Sequence, residues 1–215
     1  MRFRDRQDAG RQLARLLERY RDEAPFVLGL PRGGVPVAFE VARALGAPLD
    51  VLVARKLGAP QQPELGIGAI APGGVRIVLS QAAQIPSVTP EYIEQITARE
   101  TEEMERRLRL YRGERPPPDL HRRTVILVDD GLATGVTARA AIRSARLQGA
   151  HRVVLAAPAC ALQTARVLMS EVDDLVCAQL PPDLRAISLW YDRFDQVTDE
   201  EVIALLRQDG PAVTE

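Results

Sequence analysis

Short runs of apolar residues alternate along the chain with segments whose apolar residues recur every three or four positions. The short runs have the composition of buried strands, and the longer periodic segments are typical of amphipathic helices. Strands separated by helices favour a mainly parallel sheet covered on both faces, so we predict an α/β fold. The predicted strands are residues 26–30, 50–54, 124–128, 151–157 and 175–178, and the predicted helices are residues 5–20, 35–45, 136–148, 162–170 and 198–207.

The alternation is interrupted in the middle of the chain and again near its end. Residues 65–79 alternate loosely around Gly73 and Gly74, which predicts a β-hairpin. Residues 65–118 are therefore predicted to be an insertion into the strand–helix pattern. A short apolar stretch at residues 187–190 is expected to add one more strand.

A long charged helix is predicted over residues 89–111. Thr89 is a good capping residue, Pro90 suits the first helical position, and Glu91 places an acid in the first turn. Apolar residues follow at steps of mostly three or four, and a stiff proline-rich connector comes after them at residues 115–118. We expect this helix to be an inserted arm and a candidate interface for a homodimer.

Composition narrows the class of protein. The length of 215 residues suits one large domain, or a domain with an insertion, and 46% hydrophobic residues allow a full core. A net charge of −1 gives no support for nucleic acid as a partner. No apolar run approaches the ~20 residues of a membrane helix, and the N-terminus lacks the apolar stretch of a secretory signal. We therefore expect no membrane partner and a cytoplasmic location.

The two cysteines, Cys160 and Cys177, lack the spacing of a metal site. We expect them to be buried thiols in a reducing cytoplasm. A structural disulfide between them is the less favoured alternative.

Two acids and a turn of small residues follow the apolar strand of residues 124–128. Asp129 and Asp130 lie where this strand ends, and parallel sheets bind ligands beyond the carboxyl ends of their strands. Adjacent carboxylates can accept hydrogen bonds from a diol or help to hold a hydrated Mg²⁺. The turn opens a helix, so its amides and the helix N-terminus can bind an anion. The residues of this turn, the candidate phosphate cradle, are Gly131, Leu132, Ala133, Thr134, Gly135, Val136 and Thr137.

A plainer interpretation of this segment is an ordinary strand–loop–helix turn whose acids are solvated caps. The order of apolar strand, two acids and Gly-x-x-Thr-Gly-x-Thr favours a sugar-phosphate site instead. A receiver domain would place its acid pair after the first strand and its lysine later, and this chain does neither. A His-rich metal-dependent hydrolase is disfavoured, because the two histidines are not spaced as ligands.

In these residues the chain resembles the type I phosphoribosyltransferases, whose signature is an apolar strand, two acids and a Thr-Gly loop. The resemblance implies that Asp129 and Asp130 bind the ribose hydroxyls of 5-phosphoribosyl 1-pyrophosphate (PRPP), and that residues 131–137 bind its 5′-phosphate. It also implies Mg²⁺ as the cofactor, held chiefly by the substrate, which the two acids contact through water or substrate. Adenine-type enzymes have Ala at the position of Ala133, whereas hypoxanthine-guanine enzymes have Asp, so a 6-oxopurine acceptor is not favoured.

Two further loops resemble the family's pyrophosphate site. Arg32, Gly33 and Gly34 follow the first predicted strand, where the family has a loop that often holds a non-proline cis peptide. The plain alternative is a left-handed turn between strand and helix. Arg55 and Lys56 follow the second predicted strand and resemble the Arg-Lys pair that meets pyrophosphate in adenine- and orotate-type enzymes. Lys56 is the one lysine among 28 basic residues, and lysine and arginine are not equivalent at phosphates.

Residues 57–68 are the candidate for the flexible loop that closes over the site in the family. They depart from the orotate-type pattern, because they include no Lys, Arg or His. Glu64 is their only ionisable group and joins Asp129, Asp130 and Lys56 as a catalytic candidate. The missing basic residues slightly favour an alternative, a regulatory protein that binds PRPP without turning it over.

The family covers its site with a small variable hood that reads the acceptor. We expect one phosphoribosyltransferase domain over residues 1–215, with a core of residues 24–178 and a hood built from residues 1–20 and 180–197. Aromatic side chains cluster in the second hood segment, and an acceptor base could stack on one of them, although packing in the core is the plainer explanation. The residues are Trp190, Tyr191 and Phe194, of which Trp190 and Tyr191 are the acceptor-binding candidates.

The resemblance spans nearly the whole chain and extends to a bacterial group known only as predicted phosphoribosyltransferases. It implies a pentosyltransferase of nucleotide metabolism that transfers phosphoribose from PRPP to a nitrogenous acceptor, a nucleobase or related heterocycle, and releases pyrophosphate. The expected partners are PRPP and a small-molecule acceptor.

Overall fold

The structure, a computed structural model, describes residues 2–208. In that part of the chain no helix is both long enough and apolar enough to span a bilayer. The strands are β1 (Phe26–Gly29), β2 (Leu49–Val51), β3 (Arg55–Ala59), β4 (Gln62–Ala71), β5 (Val75–Val78), β6 (Thr124–Val128), β7 (Arg152–Ala159) and β8 (Asp174–Gln179). The α-helices are α1 (Arg6–Leu17), α2 (Gly34–Leu45), α3 (Pro90–Arg112), α4 (Val136–Leu147), α5 (Leu162–Leu168) and α6 (Asp199–Gln208).

A five-stranded parallel sheet forms the centre of the fold, in the spatial order β2–β1–β6–β7–β8. Alternate residues of its strands enter two separate apolar cores, because helices cover both faces. Val27, Ile126 and Val154 pack on the face with α1, α2, α3 and α6. Leu28 and Leu127 pack on the face with α4 and α5. The predicted α/β architecture is confirmed.

A second, antiparallel sheet has the order β3–β4–β5. The hairpin predicted for residues 65–79 is confirmed as β4 and β5, and Gly73 and Gly74 turn the chain with φ values of +84° and +74°. Positive φ is the conformation that glycine adopts without strain, which explains the two glycines. This sheet packs against α4 and α3 and so extends the fold beside the carboxyl edge of the central sheet.

Helix α3 confirms the predicted long helix and begins where predicted, since the Thr89 hydroxyl accepts a hydrogen bond from Tyr92 N–H at 3.2 Å. The helix is tied to the second sheet. The Tyr92 hydroxyl donates to the carbonyl of Gly58 at 2.7 Å, and Arg76 pairs with Glu94 at 2.6 Å. One face of α3 is therefore packed on its own chain, and its role in a homodimer stays a prediction.

Two predicted strands differ from the structure. Residues 187–190 form a 3₁₀ turn, because their backbone is satisfied locally: Tyr191 N–H donates to Ser188 O at 3.2 Å. The strand predicted at residues 50–54 is the shorter β2. Beyond it the chain turns into the second sheet at β3, which starts at Arg55.

The expectation of two free thiols was wrong, because Cys160 and Cys177 form a disulfide. Cys160 follows β7, where its N–H donates to Gln179 O at 3.0 Å, and Cys177 lies in β8. The bond thus joins the last two strands of the central sheet. Sequence spacing could not reveal it, since 17 residues and a helix separate the two positions.

Removing this disulfide is expected to destabilise the protein by about 3 kcal/mol, because a cross-link over a loop of this length restricts the unfolded chain by about that amount. Urea unfolding of Cys160→Ala with Cys177→Ala, compared with the oxidised wild type, measures the change. Reducing the wild type should give the same loss. Two thiols that react in denatured but unreduced protein would contradict the disulfide itself.

Candidate functional site

A crevice opens at the carboxyl edge of the sheet between β1 and β6. The chain leaves β1 through α2 towards β2 on one side, and it leaves β6 through α4 towards β7 on the other. Parallel sheets bind ligands where neighbouring strands diverge in this way. The loops that follow the two strands, residues 30–33 and 129–135, meet here.

Gly33 and Gly34 allow these two loops to approach each other closely. A Cβ atom on Gly34 would lie 2.6 Å from the carbonyl oxygen of Val128 and 2.9 Å from Cα of Asp129. A Cβ atom on Gly33 would lie 1.9 Å from Oδ2 of Asp130. Gly34 accepts no side chain unless the loops separate, and a side chain at Gly33 would displace the Asp130 carboxylate.

Asp129 and Asp130 lie at the carboxyl edge of β6. Asp129 is held by backbone contacts: its N–H donates to Ala156 O at 3.1 Å, and its Oδ1 accepts from Asp130 N–H at 2.8 Å. Asp130 is held from the two hood segments. Arg6 Nε donates to Asp130 Oδ2 at 2.9 Å, and the Tyr191 hydroxyl donates to the carbonyl of Asp130 at 2.6 Å.

Burial dominates the electrostatics of these two acids. It raises the pKa of Asp129 well above the usual range, and the negative charge of Asp130 raises that pKa further. Burial also raises the pKa of Asp130, against the opposing effect of the Arg6 guanidinium. Acids that the protein solvates poorly are typical of ligand sites, where the ligand supplies the missing partners.

Residues 131–137 form an open turn of amides at the start of α4. Leu132 N–H donates to Ala159 O at 2.9 Å and fixes the turn to β7. Gly135 caps α4 with a φ of +71°, and a Cβ atom there would lie 2.7 Å from Cγ2 of Thr164. The free amides and the partial positive charge of the helix end suit an anion. Within residues 2–208, no protein acceptor bonds the N–H groups of Gly131, Ala133, Thr134, Gly135, Val136 and Thr137.

Arg32 lies at the crevice together with the acid pair. Its side chain lines the same cavity, of about 570 Å³, as Asp130 and Ala133. Its Nη1 is 4.0 Å from Oδ1 of Asp199, at the start of α6. The peptide between Pro31 and Arg32 is cis, as the resemblance implied. The structure therefore brings the first predicted loop to the acids and the cradle.

The side chains of Arg55 and Lys56 point in different directions and have different partners. Arg55 donates to Oε2 of Glu100 on α3, through Nε at 2.9 Å and Nη2 at 2.5 Å. Lys56 Nζ donates to the carbonyl and Oε2 of Glu64 at 3.0 and 2.9 Å. A Cβ atom on Gly66 of β4 would lie 3.3 Å from Cδ of Lys56 and 3.8 Å from Cγ1 of Val136, at the start of α4. Lys56 therefore lies on the cradle side, whereas Arg55 is bound to α3.

The expectation of a loop at residues 57–68 was wrong, because this stretch is the end of β3, the start of β4 and the turn between them. Cross-strand pairs of small residues, such as Gly58 with Gly66, make the close pairing possible. Glu64 has a 99% exposed side chain and pairs with Lys56.

The side chains of the two acceptor candidates, Trp190 and Tyr191, lie in different surroundings. Tyr191 is buried, with its ring centroid 5.5 Å from that of Phe3 and 4.9 Å from that of Phe194, so it offers no open face for stacking. Trp190 lines a separate cavity of about 330 Å³ together with Arg2. Phe194 is the aromatic residue that lines the cavity of Asp130. The Arg6 guanidinium lies over the Phe194 ring, and the roles of Trp190 and Tyr191 towards an acceptor stay predictions.

Sequence reasoning missed Arg6, the first residue of α1. Besides its bond to Asp130, Arg6 Nη1 donates to Asp195 O at 2.7 Å. Its guanidinium carbon lies 3.8 Å from the centroid of the Phe194 ring. The sequence marks the helix start at Asp5, but it carries no signal for a contact that spans 124 residues.

A model of the phosphoribosyl transferase domain family matches residues 4–183. The chain belongs to this family. The predicted type I phosphoribosyltransferase fold is thereby confirmed, since the five-stranded parallel sheet, its helices and the additional antiparallel sheet are the architecture of that fold.

The chain is similar over nearly its whole length to two further proteins. It is 45% identical, over 204 residues and 95% of its length, to a Mycobacterium tuberculosis protein named "Putative phosphoribosyl transferase". It spans 46% of that protein, about half of the relative's length. The crystal structure of TT1426 from Thermus thermophilus superposes with a TM-score of 0.82 at 41% identity, covering 98% of this chain and all of that one.

Proposed function

We propose that this protein is a phosphoribosyltransferase that uses PRPP and Mg²⁺ and transfers phosphoribose to a nitrogen atom of a heterocyclic acceptor. One observation carries the proposal: an open turn of amides at a helix start lies directly after two adjacent acids, at the point where the strands of the sheet diverge. Amides suit a phosphate, and the adjacent acids suit the hydroxyls of its sugar.

The described geometry suggests a role for each part of the site. Residues 131–137 bind the 5′-phosphate, and Asp129 and Asp130 accept hydrogen bonds from the ribose hydroxyls. The pyrophosphate lies between Arg32, in the loop after β1, and Lys56 of β3, whose side chain lies near the start of α4. In the reaction, the acceptor nitrogen forms a bond to C1 while the bond from C1 to the pyrophosphate oxygen breaks, and pyrophosphate leaves with that electron pair. The protein contributes by positioning the reactants and stabilising charge.

The acid pair suits Mg²⁺ as a hard cation that prefers oxygen ligands. Among residues 2–208 no cluster of three or more His, Cys, Asp or Glu side chains could hold a metal by itself. Asp129 and Asp130 would therefore contact an ion held chiefly by phosphate oxygens, and the ion would neutralise charge on the leaving pyrophosphate.

The acceptor is expected to enter the cavity beside Asp130. Phe194, Ile187 and Val197 give this cavity apolar walls, and Ser188 adds a hydroxyl group. A planar heterocycle fits such a lining, because it combines an apolar face with polar edges.

A regulatory PRPP-binding protein is the second candidate. It is favoured by the ion pairs that occupy Arg55 and Lys56, which leave neither side chain without an acidic partner. Only the transferase would release pyrophosphate, so this product distinguishes the two candidates.

Calorimetric titration with PRPP and Mg²⁺, followed by an assay of pyrophosphate release with a panel of bases, tests both. The transferase proposal predicts binding and release of pyrophosphate with at least one base, together with a new nucleotide detected by mass spectrometry. Binding without release for every base would favour the regulatory protein. Absence of PRPP binding would exclude both candidates.

Lys56→Ala is expected to weaken PRPP binding about ten-fold and to leave ribose 5-phosphate binding unchanged, because a hydrogen bond to a charged group contributes about 1.5–3 kcal/mol. The two ligands differ by the pyrophosphate that Lys56 is proposed to meet. Calorimetry with each ligand measures the change, and Lys56→Arg tests whether charge alone restores it. Equal losses for both ligands would remove Lys56 from the pyrophosphate site.

A further inference from the structure

Arg6 is the one basic side chain that binds the acid pair directly in the described structure. Its Nε donates to Asp130 Oδ2 at 2.9 Å, and the side chains of both residues are nearly buried, at 11% and 13% exposure. Arg6 comes from the start of α1, whereas Asp130 follows β6 of the central sheet. The contact therefore joins the N-terminal hood segment to the candidate ribose site.

Arg6 is also held by the second hood segment. Its Nη1 donates to Asp195 O at 2.7 Å, and its guanidinium stacks on the Phe194 ring at 3.8 Å. The two segments are joined beside it, because Phe3 N–H donates to Trp190 O and Phe3 O accepts from Asp192 N–H, each at 2.9 Å. An arginine fixed in this way can impose an orientation on the carboxylate that it binds.

Arg6 leaves part of Asp130 available. A carboxylate offers about four acceptor positions on its two oxygens. Arg6 uses Oδ2, and no other basic side chain of the described residues pairs with this carboxylate. A ribose hydroxyl can therefore be bound at Oδ1 while the Arg6 contact persists.

We propose that Arg6 is a positioning residue of the ribose site: it holds the Asp130 carboxylate in the orientation that accepts a sugar hydroxyl. The proposal rests on the proposed function and adds a role for the hood that the family motif does not contain. A competing role would have the ligand displace Arg6 from Asp130. Displacement would break three contacts of a nearly buried side chain and would leave two acids beside an anionic ligand. Positioning is therefore the favoured role.

Arg6→Ala is expected to weaken ribose 5-phosphate binding about ten-fold and to leave the binding of inorganic phosphate unchanged, since phosphate occupies the cradle and lacks the hydroxyls. Calorimetry or competition titration with each probe measures the ratio of the variant and wild-type dissociation constants. Arg6→Lys should restore part of the loss, because it keeps a charge but supplies a point donor instead of a planar fork. If Arg6→Ala and Arg6→Lys have equal unfolding midpoints, a purely structural role of Arg6 predicts equal affinities for the two variants. Partial rescue by lysine would therefore support a positioning role.

Arg193→Ala is the matched control. Arg193 lies in the second hood segment and pairs with Asp5 at 2.7 Å, but it contacts neither acid of the pair. This variant should bind both probes as the wild type does. The proposal is overturned if Arg6→Ala binds ribose 5-phosphate as well as or better than the wild type, or if it loses both probes equally. Failure of the wild type to bind ribose 5-phosphate would instead refute the proposed function.

Discussion

Replacing both acids, Asp129→Asn with Asp130→Asn, is expected to reduce PRPP affinity about 100-fold or more, because each hydrogen bond to a charged group contributes about 1.5–3 kcal/mol. Both carboxylates lie at the carboxyl edge of β6, beside the open amides of the cradle. Asparagine keeps the size of the side chain and removes its charge. Calorimetric titration with PRPP and Mg²⁺ gives the affinity.

The single variant Asp129→Asn is expected to be at least as stable as the wild type. Burial raises the pKa of Asp129, so the folded protein disfavours its charged form, and asparagine removes this penalty. Asp130→Asn is expected to be destabilising, because it leaves the nearly buried Arg6 guanidinium without its acidic partner. Urea unfolding measures the free energy. Two exposed acids, Asp22 and Asp183, provide a control with the same loss of charge, and their double Asn variant should keep its affinity. Normal PRPP binding by the Asp129 and Asp130 variant would refute the ribose assignment.

Gly34→Ala is expected to destabilise the protein by about 3 kcal/mol, at the upper end of the usual cost of overpacking. The new methyl group would meet the carbonyl oxygen of Val128 at 2.6 Å and Cα of Asp129 at 2.9 Å. Both are backbone atoms and cannot rotate away, so the loops after β1 and β6 have to separate. The separation of the loops should also reduce PRPP affinity, because Arg32 would move away from Asp130. Urea unfolding and calorimetry record the two effects.

Gly66→Ala is the control for the stability effect of Gly34→Ala. Its nearest neighbour would be Cδ of Lys56, at 3.3 Å, the mobile part of a flexible side chain. The expected change in unfolding free energy is within about 1 kcal/mol. If Gly34→Ala unfolds at the same urea concentration as Gly66→Ala, the close approach of the two loops is wrong.

The central sheet was predictable because its strands are buried on both faces. Residues 125–128 are apolar without a break, and the acids that follow them mark the edge of the sheet. The cradle was predictable for the same local reason: strand, acids, turn and helix are contiguous in the chain. Caps such as Thr89 also act within one turn, so they too could be read directly from the sequence.

Contacts between distant segments could not be predicted. Arg6 reaches Asp130 only because α1 packs on the sheet with its first residue at the carboxyl edge, and Arg55 is bound by Glu100 only because α3 lies over β3. The alternation of side chains along β3 sends Arg55 and Lys56 in different directions, whereas the sequence presents them as a pair. The glycines and prolines of residues 57–68 are typical of a loop, so the sequence does not reveal the pairing of β3 with β4.

The bonds between α3 and the second sheet have a mechanical consequence. Tyr92 holds the carbonyl of Gly58, Glu100 holds Arg55, and Glu94 holds Arg76, so strands β3 and β5 are both fastened to one helix. A swing of this sheet over the crevice would have to carry the 23-residue helix with it as a single body. The turn between β3 and β4, at residues 60–61, lies beyond these three bonds.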